Sequence, residues 1–387
     1  MRLCSLRRCS LRLFPLPAAA LGLLAAACPA QQTSPVQQAP SAQQGPSQGP
    51  YRVQRTVRAG GEGGFDYVYA DADGRRLYIP RSGPAPRVSV FDLDTLAPAG
   101  EIPGTGAHGA ATDSGSHHGF ASSSPVAMWD TRTLALIKTI PVEGRPDGIL
   151  ADPADHRVFV FSHSAPNATV LDAKDGSVLG TIDLGGAPEQ AAADGKGRVY
   201  VDLEDKDSVA VVDAKALKVI ATYPLNGKGG GDAGLALDVK NHVLFVACRE
   251  PQVMVMLDAN DGHYLADLPI GRGCDGAVFN LKTMECFSSQ ADGTLTVIKE
   301  NTPTTFAVEQ TVTTMPGAKT LTLDSKTGKV LLITAEYEAP PAGAAPTGDA
   351  PPTGGPPPAG GPPPFGGGRF VRRPMVPGSF SILVVGK

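Results

Sequence analysis

The sequence lacks an excess of positive charge. Its 387 residues contain 34 Lys and Arg against 38 Asp and Glu, so the formal net charge is -4 at pH 7. A protein that binds nucleic acid or an anionic membrane through phosphate groups depends on a basic surface, which this composition does not supply. We therefore expect no nucleic-acid partner.

Several catalytic and cofactor motifs are also missing. No serine stands in a nucleophile-elbow context, and no Cys-x-x-Cys-His motif for haem attachment occurs. The stretch GKGGGDAG, which begins at Gly227, lacks the Lys-Ser/Thr ending and the following helix of a phosphate-binding loop. We interpret it as a flexible connector. No window predicts a long amphipathic helix with caps.

The apolar run near the start is too short for a transmembrane helix, which needs about 20 apolar residues. It reads LFPLPAAALGLLAAA, is interrupted by Pro15 and Pro17, and follows a basic leader. This order predicts a cleaved signal peptide over residues 1–30 and a periplasmic or secreted protein. The alternative is lipidation at Cys28, which gives a membrane-anchored lipoprotein. Residues 31–50 are almost wholly Gln, Ser, Pro, Ala and Gly, a composition that predicts a disordered linker.

The sequence does contain an internal repeat of short apolar strands. Six matching segments are RRLYIPRS at Arg75, HRVFVFSH at His156, GRVYVDLE at Gly197, HVLFVACR at His242, MECFSSQA at Met284 and KVLLITAE at Lys329. The strand that follows closes on an acid at Asp92, Asp130, Asp172, Asp213 and Asp258. A period of about 40 residues with four short strands per unit indicates the blades of a β-propeller.

Seven such units occur when a degenerate copy at His117 is counted. We predict an all-β, seven-bladed β-propeller of four-stranded antiparallel blades over residues 51–387. The last unit has two strands, a Pro/Gly-rich insertion at about 339–378, and the terminal strand SFSILVVGK. The segment at Tyr51 supplies the missing strand, so the N-terminal strand pairs with the C-terminal blade and closes the ring.

Acidic stretches such as DAKDG and DANDG lie between the predicted strands. They predict hairpin turns, because Asp, Asn and Gly supply the positive φ angles that tight hairpins need. They are not complete calcium loops, which need further ligands and a glutamate at the twelfth position.

The repeats resemble the YVTN-repeat, YncE-like seven-bladed β-propellers, which are exported bacterial proteins. The resemblance covers residues 51–387 and rests on the second strands LYIP, VFVF, VYVD and LFVA, and on third strands of the form V-x-V-[FVL]-D. It also rests on connectors of the form I-x-[VL]-G-x-x-P-[DE], found at residues 140–147 and 182–189. The resemblance implies the propeller fold and export, but no particular biochemical activity.

In a propeller, the connector into each inner strand and the loop between the second and third strands open on one face, around the central channel. The candidate ligand-binding residues in these two series are Asp66, His108, Asp147, His163, Glu189, Arg249 and Asp275. Converging carboxylates bind hard cations or cationic ligands. We predict a monomeric binding module that recognises a ligand or a protein partner at the channel face, with no cofactor and no catalysis.

The alternative function is that of a metal-assisted lactonase or other hydrolase. Asp or Glu residues of the same acidic mouth would then hold a divalent cation that polarises a carbonyl group. His108 or His163 would act as the base. A requirement for a divalent cation separates this alternative from the binding module.

Only three of the six cysteines, Cys248, Cys274 and Cys286, lie outside the leader. At most one intrachain disulfide is therefore compatible with an exported domain. Cys248 ends a second strand and Cys274 lies in the next connector, so we predict that these two pair and that Cys286 stays free. The alternative is three inert thiols.

Overall fold

The computed structural model describes residues 49–165, 167–338 and 374–387. These residues form 28 β-strands and no α-helix. In particular, these three ranges contain no helix long and apolar enough to cross a membrane. The predicted signal peptide, the Cys28 lipidation site, most of the linker predicted at 31–50 and residues 339–373 of the predicted insertion lie outside the described residues.

The strands form seven four-stranded antiparallel sheets, which we number as blades 1 to 7. The first strand of the chain, β1 (Arg52–Arg58), belongs to the last blade. Blade 1 consists of β2 (Tyr69–Asp71), β3 (Arg76–Arg81), β4 (Arg87–Asp92) and β5 (Pro98–Pro103). Blade 2 consists of β6 (Ala110–Asp113), β7 (His118–Ala121), β8 (Val126–Asp130) and β9 (Leu136–Ile140). Blade 3 consists of β10 (Pro146–Asp152), β11 (Arg157–Ser162), β12 (Ala168–Asp172) and β13 (Val178–Ile182).

The second half of the ring repeats this arrangement. Blade 4 consists of β14 (Pro188–Ala193), β15 (Arg198–Leu203), β16 (Ser208–Asp213) and β17 (Lys218–Pro224). Blade 5 consists of β18 (Asp232–Asp238), β19 (Val243–Cys248), β20 (Val253–Asp258) and β21 (Tyr264–Pro269). Blade 6 consists of β22 (Cys274–Asn280), β23 (Glu285–Gln290), β24 (Thr294–Thr302) and β25 (Thr305–Thr313). Blade 7 consists of β26 (Thr320–Asp324), β27 (Lys329–Thr334), β28 (Ser381–Gly386) and β1.

The first strand of each sheet lies at its inner end, and the inner strands of neighbouring blades contact one another around the central channel. The prediction of seven four-stranded antiparallel blades is therefore confirmed. The predicted insertion falls between β27 and β28, in the loop between the second and third strands of blade 7.

Apolar side chains on both faces of the sheets hold neighbouring blades together. Between blades 3 and 4, for example, Phe159 and Val170 pack in one buried cluster with Val199 and Val212. Fully burying a side chain of this size stabilises the fold by about 1.5–3 kcal/mol. Packing on both faces explains why the strands are apolar without a clean alternation.

The acidic turns are capped as hairpin turns. A side-chain oxygen of Asp92 accepts a hydrogen bond from the backbone amide of Thr95 at 2.7 Å, and Asp213 does the same for Ala216 at 2.7 Å. These carboxylates therefore bond to backbone amides of their own turns, as the hairpin prediction requires.

The two ends of the chain close the ring, in agreement with the prediction. Strand β1 pairs antiparallel with β28, with Arg52 opposite Gly386 and Val57 opposite Ile382. A set of residues that we call the latch joins this pair to blade 6; it consists of Tyr51, Glu285, Gln310 and Lys387. The amide of Tyr51 donates to Gln310 Oε1 at 2.9 Å, and Gln310 Nε2 donates to the Tyr51 carbonyl at 2.7 Å. The Tyr51 hydroxyl donates to Glu285, which also pairs with Lys387 at 3.0 Å.

The predicted Cys248–Cys274 disulfide is not formed, because the two thiols lie on opposite faces of blade 5. Cys248, Cys274 and Cys286 are free and buried. Cys248 packs in the cluster between blades 4 and 5, whereas Cys274 packs with Phe245 in the cluster between blades 5 and 6. Burial raises the pKa of Cys274 to about 12, so this thiol is unreactive at neutral pH.

Candidate functional site

The seven candidate residues come together in one network at the channel mouth. Asp66 and His108 precede the inner strands of blades 1 and 2, and Asp147, Glu189 and Asp275 lie at the starts of the inner strands β10, β14 and β22. His163 and Arg249 follow the second strands β11 and β19. Two further residues from the same loop series, Glu204 of blade 4 and Lys319 of blade 7, join them.

One half of the mouth is built from imidazoles and carboxylates. Nδ1 of His108 lies 2.9 Å from Asp66 Oδ2 and 3.0 Å from Asp147 Oδ1. Nε2 of His163 lies 3.3 Å from Asp147 Oδ2 and 3.2 Å from Glu189 Oε2. Asp147 therefore stands between the two imidazoles and offers one oxygen to each.

The other half of the mouth is built around Arg249. Its guanidinium pairs with Glu204 and Asp275 and lies 3.8 Å from Glu189 Oε1, which links the two halves. Lys319 pairs with the second oxygen of Asp275. An unbroken series of ionisable contacts thus runs from Asp66 around the channel to Lys319.

The imidazole half favours protonated histidines. The hydrogen bond with Asp66 raises the pKa of His108 against the opposing effect of burial. The hydrogen bond with Glu189 likewise raises the pKa of His163 to about 9. Burial raises the pKa of Asp147 and that of Glu189, the latter to about 7. Near neutral pH the proton between His163 and Glu189 therefore resides on the histidine.

The two cations of the other half keep their charge despite being partly buried. Burial alone lowers the pKa of Arg249, but the carboxylates of Asp275, Glu204 and Glu189 raise it above its ordinary value. Burial also opposes the charge of Lys319, and Asp275 and then Asp66 raise its pKa above the ordinary value. The two ends of the series therefore interact electrostatically, which completes the circle around the channel.

The backbone of the mouth is fixed by hydrogen bonds between blades. The Asp66 carbonyl accepts from the Thr320 hydroxyl of blade 7 at 2.8 Å, and the Asp147 carbonyl accepts from Ser122 of blade 2. The Lys319 carbonyl accepts from Ser289 of blade 6 at 2.5 Å. Because these three connectors are each tied to another blade, the side chains that they carry are preset for binding.

Two residues that the sequence analysis missed lie beneath this network. The Tyr67 hydroxyl of blade 1 donates across the channel to the Glu189 carbonyl of blade 4 at 3.0 Å. Gln190 Oε1 accepts from the amides of Leu235 at 2.9 Å and Ala277 at 3.0 Å, in blades 5 and 6. These side chains cross the channel and give the mouth a floor. Each directly follows a predicted site residue, and adjacency to Asp66 or Glu189 was the only signal of its place in the sequence.

One acidic connector residue, Asp232 of blade 5, does not join the network. Its side chain is fully buried, and neither carboxylate oxygen has a hydrogen-bond partner among the described residues. Burial raises its pKa to about 7. Another buried carboxyl group, that of Asp202, also has a raised pKa, because of its own burial and then because of Asp232.

We expect Asp232→Asn to stabilise the protein above neutral pH. A carboxyl group whose pKa is raised in the folded state destabilises the fold progressively as the pH rises from its ordinary pKa to about 7, and the penalty stays constant above that. The variant should match the wild type most closely at about pH 3–4 and exceed it by up to about 4 kcal/mol at about pH 8. Thermal unfolding across this pH range measures the difference. The control is Asp261→Asn, at an exposed hairpin, whose unfolding temperature should change with pH as that of the wild type does. If Asp232→Asn also showed the wild-type pH dependence, Asp232 would not be the buried group with the raised pKa.

The imidazole half also has the composition of a metal site. Asp66, His108 and Asp147 form one group of three ligand atoms, and Asp147, His163 and Glu189 form a second. Within each group the three atoms lie within 4.8 Å of one another. His163 is 40% exposed and His108 is 32% exposed, so solvent and solutes reach both imidazoles.

Comparisons with known proteins support the fold alone. No family model matches the sequence, and no curated protein matches it. Many solved structures are similar in fold. One is a chain described as "Crystal Structure of Mitotic Checkpoint Complex", which aligns with a TM-score of 0.62 at 10% sequence identity. The alignment covers 80% of this chain and 96% of that chain. The chain is thus a seven-bladed β-propeller, a fold that commonly serves as a protein-interaction module.

Proposed function

We propose that this protein is an exported recognition module that binds a polar ligand, or a polar segment of a protein partner, at the channel mouth. The observation that carries the proposal is the convergence of acidic, imidazole, guanidinium and ammonium groups from all seven blades on one network. Export is supported by the basic and apolar leader of residues 1–30. The repeat motifs support membership of the YncE-like group.

The geometry of the mouth favours recognition of a solute with both donors and acceptors. The network offers carboxylate oxygens on one side and the Arg249 and Lys319 cations on the other. Tyr67 and Gln190 form hydrogen bonds between blades next to this network, so further polar groups lie beside a bound ligand. Few side chains need to reorganise on binding, because the contacts between the blades already hold the connectors in place, and this lowers the cost of binding.

A thermal-shift screen tests this proposal. The probes are amino acids, dicarboxylates, sugar acids and polyamines, added to protein beginning at Gln31 in the presence of a chelator. We expect at least one class to raise the unfolding temperature, since a ligand at about 100 times its Kd stabilises by about 2.7 kcal/mol. His163→Asn should lose most of that shift.

The matched control is His156→Asn. His156 bonds to Asp113 at 2.9 Å, much as His163 bonds to its acids, but it lies in the hairpin at the opposite face of the ring. This variant should keep the full shift. The proposal fails if no probe class shifts the wild type, or if the shift survives His163→Asn unchanged.

The second candidate function is the metal-assisted hydrolase, which the two groups of three ligand atoms favour. A cation held there would polarise a substrate carbonyl, and the remaining imidazole would act as base. The same proteins, freed of chelator and assayed with lactones and aryl esters in the presence and absence of Zn²⁺, separate the two functions. If hydrolysis depends on Zn²⁺ and is lost in His163→Asn, the protein is an enzyme and not a recognition module.

A further inference from the structure

Asp147 presents one carboxylate oxygen to each imidazole of the mouth. Oδ1 faces Nδ1 of His108 at 3.0 Å, and Oδ2 faces Nε2 of His163 at 3.3 Å. Each nitrogen has another carboxylate beside it, Asp66 at 2.9 Å and Glu189 at 3.2 Å. The five residues therefore form two sets of three ligand atoms that share Asp147.

Each set has more hydrogen-bond acceptors than its single imidazole N–H donor can satisfy. An imidazole nitrogen carries a single N–H, yet each of these nitrogens faces oxygens from two different carboxylates. A metal ion uses all three atoms at once. In a tetrahedral zinc site with bonds of about 2.0–2.1 Å, neighbouring ligand atoms lie about 3.3 Å apart. The two distances at His163 match this spacing, and those at His108 are a few tenths of an ångström shorter.

The backbone that carries these ligands is held in place independently of them. The carbonyls of Asp66, Asp147 and Glu189 accept hydrogen bonds from Thr320, Ser122 and Tyr67, which belong to blades 7, 2 and 1. Ligand binding then needs only small side-chain movements. Preset ligands of this kind are a requirement for a defined metal geometry.

We propose that the mouth binds two divalent transition-metal cations bridged by the Asp147 carboxylate. Asp66 and His108 hold the first cation, and His163 and Glu189 hold the second. Cations that share a bridge of this kind lie about 3.5–4 Å apart. The imidazole donors favour Zn²⁺ over Ca²⁺ and Mg²⁺, which prefer oxygen ligands, and the carboxylates of the same sets also suit Mn²⁺. Each cation displaces the proton of its imidazole nitrogen to solvent. This inference rests on the proposed binding role of the mouth and names a class of ligand for it.

Calorimetric titration of the metal-free, tag-free protein with Zn²⁺ alone tests the pair. We expect about two Zn²⁺ per chain for the wild type and about one for either Asp66→Asn or Glu189→Gln. Asp147→Asn should weaken both binding events by at least about 100-fold, because it removes a ligand from each set. His156→Asn, on the opposite face, should bind like the wild type.

Electron paramagnetic resonance of the Mn²⁺-loaded wild type gives a measurement that needs no variant. A bridged pair should show an exchange-coupled signal in place of the six-line spectrum of isolated ions. A folded wild type that binds fewer than two cations, an unchanged titration of Asp147→Asn, or isolated Mn²⁺ signals would each overturn the pair. The ligand screen is run in chelator, so a screen that succeeds while Zn²⁺ binding fails removes this inference and leaves the recognition module standing.

Discussion

A chain that begins at Ala59 should fail to form a stable monomer, whereas a chain that begins at Gly49 should unfold at the same temperature as the protein beginning at Gln31. The shorter chain lacks β1, whose backbone pairs along β28 from Arg52 to Arg58. It therefore exposes the edge of blade 7 and loses the contact that closes the ring. An open, apolar strand edge is a template for aggregation. Size-exclusion chromatography and circular dichroism of the two chains measure the effect.

The latch should carry much of this effect. The Tyr51 ring packs edge-on against Phe287 with centroids 5.2 Å apart, and its backbone exchanges two hydrogen bonds with Gln310. Replacing a buried aromatic side chain by alanine costs about 3–5 kcal/mol, so Tyr51→Ala should lose an amount of this order. Arg55→Ala, at an exposed position of β1, should change stability by less than about 0.5 kcal/mol. An Ala59 chain that stays monomeric with an unchanged unfolding temperature would show that β1 does not close the ring.

The fold was predictable because each blade repeats the same local rules. Apolar second and third strands recur in all seven blades, an aspartate caps the turn after the third strand in five of them, and only a ring buries all of these strands. The same repetition explains why the seven candidate residues meet. Equivalent connectors of a closed ring point at one axis, so a position in one blade fixes the position in the next.

The individual departures from this symmetry were not predictable. Asp232 and Asp275 lie one position apart in their connectors, because Asp232 opposes Cys248 in blade 5 as Cys274 opposes Gln290 in blade 6. Asp232 is buried without a hydrogen-bond partner among the described residues, whereas Asp275 pairs with Arg249 and Lys319. The residue of blade 5 that matches Asp275 is therefore the uncharged Ala233. The positions of Cys248 and Cys274 were likewise not predictable. The alternation of side chains along a strand does not tell which face of the blade a given residue lies on.

Blade 2 shows why one copy of the repeat looks degenerate in the sequence. Its second strand has Gly119 where the equivalent pairs of other blades have an apolar side chain, such as Val158 opposite Leu171 in blade 3. Gly119 lies opposite Trp129, and a Cβ atom at this glycine would stand 2.2 Å from the indole ring. The indole fills the volume that two aliphatic side chains share in the other blades. The Gly119–Trp129 pair therefore has about the same total size as the equivalent pairs, although neither residue matches the repeat.

This complementarity predicts a rescue. Trp129→Leu should lose about 3–5 kcal/mol, because Trp129 is fully buried against Tyr78 and its removal leaves a cavity. Gly119→Val should lose at least about 1–3 kcal/mol, because the new side chain is forced into the indole. The double variant rebuilds the valine–leucine pair of blade 3, and its loss should be smaller than the sum of the two by about 1–3 kcal/mol.

The rescue has a matched control in the other half of the ring. Gly119→Val combined with Tyr51→Ala changes two sites in blades 2 and 7 that share no partner, so the two losses should add within about 0.5 kcal/mol. Chemical unfolding followed by circular dichroism gives all the free energies, since Trp129 is the single tryptophan and its fluorescence is lost with it. Additive losses for Gly119→Val and Trp129→Leu would mean that blade 2 is weakly packed for another reason. A coupling confined to this pair would mean that the volume of the pair, and not the identity of either residue, is what the repeat preserves.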